Sequence, residues 1–363
     1  MAAVTRVSTS PDDGGDLDSR HRPSSTESVA VAVVDVVEHT DPGSAWAWGT
    51  EPKLRWLRWH LGHSLRWRRV FGVQLADLRR QPGGFHAERD AEGHRRQWLG
   101  VAAETGAPVP EQLASMHWST RPASLAARAA ELQGPEVADR VLRRLREAVF
   151  VVGRPPDTPE RILEAVEGVA GLDGARLVDD ARSEVVAVLA ERDWSEARRP
   201  RAEVVGLREP APRRGAAEHD GGHLRYEFPT LVFDGPEGSV VVPGWRSLST
   251  YVAAIDRVAP GVALGSGVPL DADAALRHFG SLTRPELLLL TGRDEAPTGA
   301  HEVATATGPL WVLPSEAAAR GWDAGTSAGW SRQLRPATSP QVTMGDGPPS
   351  VLGSPSVEPP RGR

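Results

Sequence analysis

The sequence predicts a three-layer α/β domain interrupted by a helical subdomain and followed by a small C-terminal extension. Three observations predict it: a β–α–β opening between Val29 and Phe71, unbroken helical periodicity over 109–197, and a hairpin with a closing helix between Thr230 and Val258. The chain has 363 residues, 40% of them apolar, enough core for about two domains of ordinary size.

Val29–Val37 is a nearly continuous run of Val and Ala, as expected of a strand buried on both faces, and the turn Thr40–Gly43 ends it. From Pro52 to about Leu65 the residues Leu54, Leu57, Leu61 and Leu65 form a helical stripe, with Trp56 and Trp59 beside it. Pro52 is expected in the first turn, where a missing N–H is harmless. Arg66 to Phe71 reads as a second strand, so the opening implies a parallel pair with a right-handed crossover.

Residues 109–197 then read as helices alone. Leu125–Gln133 is rich in strong helix formers and stops at Gly134. Pro135–Phe150 repeats Leu, Val and Ala at three- and four-residue spacing. Thr158 caps a helix that has Pro159 in its first position, and Asp179–Trp194 supplies one more. A charged, Gly-rich loop (198–222) leads to Thr230–Phe233, a turn at Asp234–Gly238, and Ser239–Val242, a hairpin with its turn chemistry in place. Trp245–Val258 closes the domain as a helix. Residues 268–315 hold short helices at Asp271–Phe279 and Arg284–Leu290, the second with a Thr283/Glu286 capping box, and a hairpin ending at Trp311–Leu313.

Composition narrows the function. The sequence contains no cysteine, which excludes both a disulfide-stapled secreted scaffold and a thiol enzyme. A formal charge of −6 gives no general attraction to nucleic acid or an anionic membrane. Residues 1–27 lack the apolar stretch of a secretory signal, and no run approaches a membrane span, so a cytoplasmic location is expected. Residues 1–27 and 324–363, polar and rich in Ser, Gly and Pro, are expected to be disordered tails.

One constellation carries a resemblance. Asp41-Pro42-Gly43-Ser44-Ala45-Trp46-Ala47-Trp48, followed by Glu51, Pro52 and an amphipathic helix, resembles the active-site turn of the DsbA family, FrnE-like oxidoreductases and related protease adaptors included. Residues Arg121–Glu136 are similar to that family's helical insertion, and Phe228-Pro229-Thr230 to its strand-preceding cis-proline loop. The resemblance covers roughly 28–258. It implies a thioredoxin-like fold built from 28–108 and 198–258, an inserted helical subdomain at 109–197, and a small extension at 259–323.

Ser44 stands where the family carries its nucleophilic cysteine, and Ala47 where its resolving residue would be. A helix N-terminus lowers a thiol's pKa, but a serine hydroxyl starts too far from neutrality to be ionised by the same dipole. Dithiol–disulfide exchange is therefore impossible, and three readings of Ser44 follow. It is a helix cap in a degenerate site, since Ser is a good N-cap. It belongs to a peptide- or protein-binding face, as the adaptor branch implies, with Asp41, Pro42, Trp46, Trp48, Phe228, Pro229 and Thr230 as the binding residues. Or it stabilises a thiol cosubstrate, as the resemblance to kappa-class glutathione transferases and chromene-carboxylate isomerases implies. The second reading is preferred: a non-redox pseudoenzyme acting as an adaptor, with an unidentified protein or peptide partner and no cofactor. In the third, a low-molecular-weight thiol would be bound.

The remaining signals are weaker. His60 and His63, and His219 and His223, lack metal-site spacing. Residues 53–96 hold eleven Lys/Arg against four Asp/Glu, interleaved with Trp56, Trp59 and Trp67. Arginines sheltering tryptophan faces explain that pattern better than nucleic-acid contact does. The helix–helix–hairpin order of 268–315 has the outline of a small winged helix but lacks a basic recognition helix.

Overall fold

The structure, a computed structural model, describes residues 33–80, 86–113, 115–208, 215–220, 222–262 and 268–322. The expected tails at 1–27 and 324–363 lie outside the described residues, as does the start of the first strand. Strand β1 (Val34–Thr40) leads into helix α1 (Ala45–Leu61), and the chain returns as β2 (Leu65–Phe71). Six helices follow: α2 (Ala87–Thr105), α3 (Arg121–Ala130), α4 (Pro135–Phe150), α5 (Pro159–Val166), α6 (Gly174–Ala181) and α7 (Glu184–Ala197). A short hairpin, β3 (Glu218–Asp220) and β4 (His223–Arg225), precedes β5 (Thr230–Gly235), β6 (Gly238–Pro243) and α8 (Leu248–Val258). The described chain ends with α9 (Ala272–Phe279), β7 (Ser281–Thr283), α10 (Arg284–Thr291), β8 (His301–Val303), β9 (Leu310–Val312) and α11 (Pro314–Ala319).

The main sheet has the order β2-β1-β5-β6, with β1 parallel to β2 and the other neighbours antiparallel. Alternation along the strands assigns the two faces. Val34 and Val36 pack with Leu54, Leu57 and Leu61 of α1 and Tyr251, Ile255 and Val258 of α8. Val37, on the opposite face, packs with Val70, Ala197 and Tyr226 beneath α7. Helices α3 to α6 enclose a second core around Leu142, Leu145 and Leu177, capped by Phe71 at the end of β2.

The C-terminal elements form a three-stranded sheet, β7-β9-β8, with α9 and α10 against it. They are joined to the rest by both apolar and charged contacts. Val303, Leu310 and Val312 share one core with Trp48, Trp98 and Phe150. Beside α4 runs a buried charged seam. Arg143 donates to both oxygens of Glu286 at 2.7 and 3.0 Å and to Glu147 at 2.7 Å, while Arg55 donates to the Ser281 carbonyl at 2.6 Å. Arg146, 1% exposed, bonds Glu51, Thr40 Oγ1 and Glu38. Burial alone would raise the Glu51 carboxyl, but Arg146, Arg55, Arg58 and Arg143 outweigh it and bring its pKa down to about 2.

Several elements differ from the sequence expectation. Helix α1 begins at Ala45, so Pro52 lies inside the helix and removes the bond its N–H would give to the Trp48 carbonyl. Asp179–Trp194 is not one helix: the chain breaks between α6 and α7, where Ser183 caps the second by accepting from Val186 N at 3.2 Å. The loop expected at 198–222 contains a 3₁₀ turn at Ala202–Val204 and the first strand of a short hairpin. Helix α2 was not expected. Its buried side chains are few, chiefly Ala91, Trp98 and Ala102, too sparse for a periodic stripe. The capping box at Thr283 and Glu286 is present.

Candidate functional site

The turn between β1 and α1 is built around Asp41, which is fully buried. One carboxylate oxygen accepts from Gly43 N at 2.7 Å; the other accepts from Gln74 N and Thr120 Oγ1, both at 2.8 Å. Burial raises the carboxyl's pKa, and these three donors hold part of that rise back. One side chain thus ties the turn, the segment after β2 and the start of α3 together. Gly43 is required by close approach: a Cβ there would lie 2.6 Å from Thr120 Cγ2 and 3.1 Å from His117 Cε1.

Ser44 is the N-cap of α1. Its Oγ accepts from Ala47 N at 3.3 Å and donates to the Phe228 carbonyl at 3.3 Å. The Phe228–Pro229 peptide is cis. The structure therefore brings Ser44 against the loop that the resemblance placed there. Phe228 is fixed from both sides: its ring fills the space a side chain on Gly72 would take, and the Arg225 guanidinium lies 4.5 Å over it. The Pro229 carbonyl accepts from Gly244 N at 2.8 Å, and Thr230 Oγ1 donates to the Glu227 carbonyl at 2.7 Å.

The site is closed. Ser44 is 2% exposed, and Asp41, Pro42, Phe228, Pro229 and Thr230 are buried with it. Trp48, expected to offer apolar contact, is instead a core residue at 2% exposure. Its ring stacks on Phe150 with centroids 6.0 Å apart, Arg143 lies 4.5 Å over it, and its indole N–H donates to the Pro108 carbonyl at 3.0 Å. As the fourth residue of α1 it points inward, toward the helices that follow β2. What the turn presents to solvent is Gly43, Ala45 and Trp46, all half-exposed. Trp46 stands 6.3 Å from the ring of Trp245, which is half-exposed too. Lys53 Nζ lies 3.4 Å over Trp245, and the Trp245 indole donates to the Gly49 carbonyl at 3.2 Å.

Sequence reasoning missed His117 and Thr120 at this turn, and Trp245 beside it. Thr120 supplies one of the bonds that anchor Asp41, and the imidazole of His117 is buried above Gly43 with no hydrogen-bond partner for Nε2 among the described residues. Burial, with a smaller contribution from His94, pushes its pKa down to about 3, so it is neutral at ordinary pH. Neither residue sits in a spacing that marks it, because both reach the turn through tertiary folding. Of the basic and aromatic stretch at 53–96, Arg58 lies 4.4 Å over the Trp67 ring, an internal pairing of the kind expected.

Residues 38–199 match a family model, Thioredoxin_5, described as thioredoxin. The chain is 30% identical over 160 residues to the ClpXP adapter protein SpxH of Shouchella clausii (strain KSM-K16), covering 44% of this chain and 52% of that protein. It is 30% identical over 156 residues to the ClpXP adapter protein SpxH of Halalkalibacterium halodurans, covering 42% and 51% respectively. The chain thus spans about half the length of the curated relatives it matches. Among solved structures, the cytosolic disulfide reductase DsbM of Pseudomonas aeruginosa aligns at 19% identity with a TM-score of 0.43, over 61% of this chain and 93% of that one. The sequence has no thiol anywhere to stand at the head of α1. The chain has a thioredoxin-like fold, and its sequence contains no cysteine.

Proposed function

We propose that the chain works by binding protein partners, as an adaptor without thiol chemistry. The observation that carries this reading is the state of Ser44. Its hydroxyl receives the Ala47 N–H, gives its own hydrogen to the Phe228 carbonyl, and is enclosed. A serine that stabilises a cosubstrate thiolate needs a free O–H and a pocket beside it. A binding role needs neither.

The surface left at this end is the Trp46–Trp245 pair, held by Lys53 and by the Gly49 carbonyl. Aromatic groups positioned before contact lose little entropy on binding and are the usual anchors of protein interfaces. Both curated relatives are named as ClpXP adapters, which supports ClpXP as the machine to which a bound protein would be delivered. In cells lacking the chain, the half-life of at least one protein should lengthen severalfold. Wild type and Ser44→Ala should restore it, and Trp46→Ser with Trp245→Ser should not. Full rescue by the double tryptophan variant would reject the recognition surface. A saturable thermal shift with glutathione or mycothiol that vanishes in Ser44→Ala would reject the adaptor reading itself.

A further inference from the structure

A cavity of about 740 Å³ opens on the face of the main sheet away from α1, between β1, β5 and α7. The sheet register sets its inner wall. Val37 of β1 pairs with Val232 of β5 on one side and Arg68 of β2 on the other, and His39 lies two residues further along the same face. Helix α7 covers only the β2 side of this face, so Val188, 55% exposed, stands at the mouth instead of in a core.

Two features point to a ligand. The first is His39, lining the cavity at 2% exposure with Nδ1 lacking any hydrogen-bond partner among the described residues. A buried polar group is normally paired, and an unmet one at a cavity wall marks where a polar atom is wanted. Burial foremost, with Arg68 and Arg201 adding to it and Glu196 opposing, brings its pKa down to about 4. The imidazole is therefore neutral, placed to exchange a hydrogen bond and not to attract an anion.

The second feature is the charge at the mouth. Arg68 is held by Glu196 at 2.7 and 2.9 Å, and Arg201 by Ser239 and Asp234 at 2.5 and 3.4 Å. Arg192 and Arg199 are exposed at the rim with no side-chain ion pair or hydrogen bond among the described residues, against one such acid, Glu191. The volume lies within the range of small-molecule sites, and the valines and Tyr226 give it an apolar floor beneath a rim of polar and charged side chains.

We propose that this cavity binds a small planar aromatic acid carrying a second polar atom at the end away from the acid group. The ring lies on Val37, Val232 and Val188, the distal polar atom meets His39, and the acid group sits between Arg192 and Arg199. The turn at Ser44 takes no part.

The test is a fluorescence titration of the full chain at pH 7 with 6-hydroxy-2-naphthoate, 2-naphthoate and 2-naphthol. The hydroxynaphthoate should bind tightest, about fivefold over the naphthoate that lacks the hydroxyl and about tenfold over the naphthol that lacks the charge. His39→Phe should erase the hydroxyl preference and keep the carboxylate preference. Arg192→Gln with Arg199→Gln should do the reverse, and Val188→Trp should weaken all three probes. The rim variants are on the surface, so they decide the matter even where His39→Phe fails to fold. Three outcomes overturn the proposal: no saturable signal below about 1 mM, equal affinity for all three probes, or unchanged binding in Val188→Trp.

Discussion

Two buried polar regions share this molecule and are built on opposite terms. At the turn, most polar groups are neutral and held by single bonds, Ser44 between Ala47 and Phe228 and Thr120 on Asp41, with Asp41 alone gathering three donors. Along the seam beside α4, the groups are charged, several partners deep and drawn from distant parts of the chain. A neutral hydrogen bond contributes about 1 kcal/mol net, and a buried neutral group left without its partner costs about 1–3 kcal/mol. A buried ion pair contributes little over an apolar substitute, but half of one is strongly destabilising. The turn should therefore tolerate change and the seam should not.

The largest effect is expected at Arg146. Arg146→Ala would leave Glu38 and Glu51 buried without their shared partner, lowering stability by about 3–5 kcal/mol in urea denaturation. Arg146→Leu with Glu51→Leu should recover much of that loss; failure to recover would show the seam holding something beyond charge balance.

Acid should separate the two regions. His39 and His117 flank the turn with folded pKa values near 4 and 3, below the ordinary 6.5. The unfolded chain thus binds more protons, and this stability is complete above pH 6.5 and lost as pH falls toward the folded values. Between pH 6.5 and 5.5 the loss should reach about 2–3 kcal/mol, visible as a falling Tm. His39→Phe with His117→Phe should flatten that slope. The seam holds longer, since Glu51 keeps its charge down to about pH 2.

The smallest effect is expected at Ser44. Ser44→Ala removes a cap and one bond to Phe228, a loss of about 1 kcal/mol. A loss of 3 kcal/mol or more, on the scale of the seam, would place the turn in the same class.

What was legible in the sequence follows the same division. The β–α–β opening, the hairpin at Thr230–Val242 and the cap at Thr283 are local patterns, readable from periodicity and turn chemistry. Ser44 and Phe228-Pro229 could be placed together only through the resemblance to the DsbA family's turn and proline loop. Trp48 was misjudged because neighbouring residues on a helix face opposite ways, and only the packing of Phe150 shows which way is in. His117, Thr120 and the whole Arg–Glu seam left no local signal. Nothing in the spacing of the arginines on α4 marks them as buried, yet Arg143, Arg144 and Arg146 are each under 5% exposed.

The pairing of Arg143 with Glu286 has a consequence for how the molecule is made. The two residues are 143 positions apart in the chain. At ordinary translation speeds of about 5–20 residues per second, the guanidinium waits roughly 7–30 seconds for its carboxylate. Until then Arg143 has Glu147, four residues on in the same helix, while Arg146 is already matched by Glu38 and Glu51 from the first strand and helix. The half of the seam that ties α4 to the C-terminal elements is thus among the last polar contacts of the molecule to close.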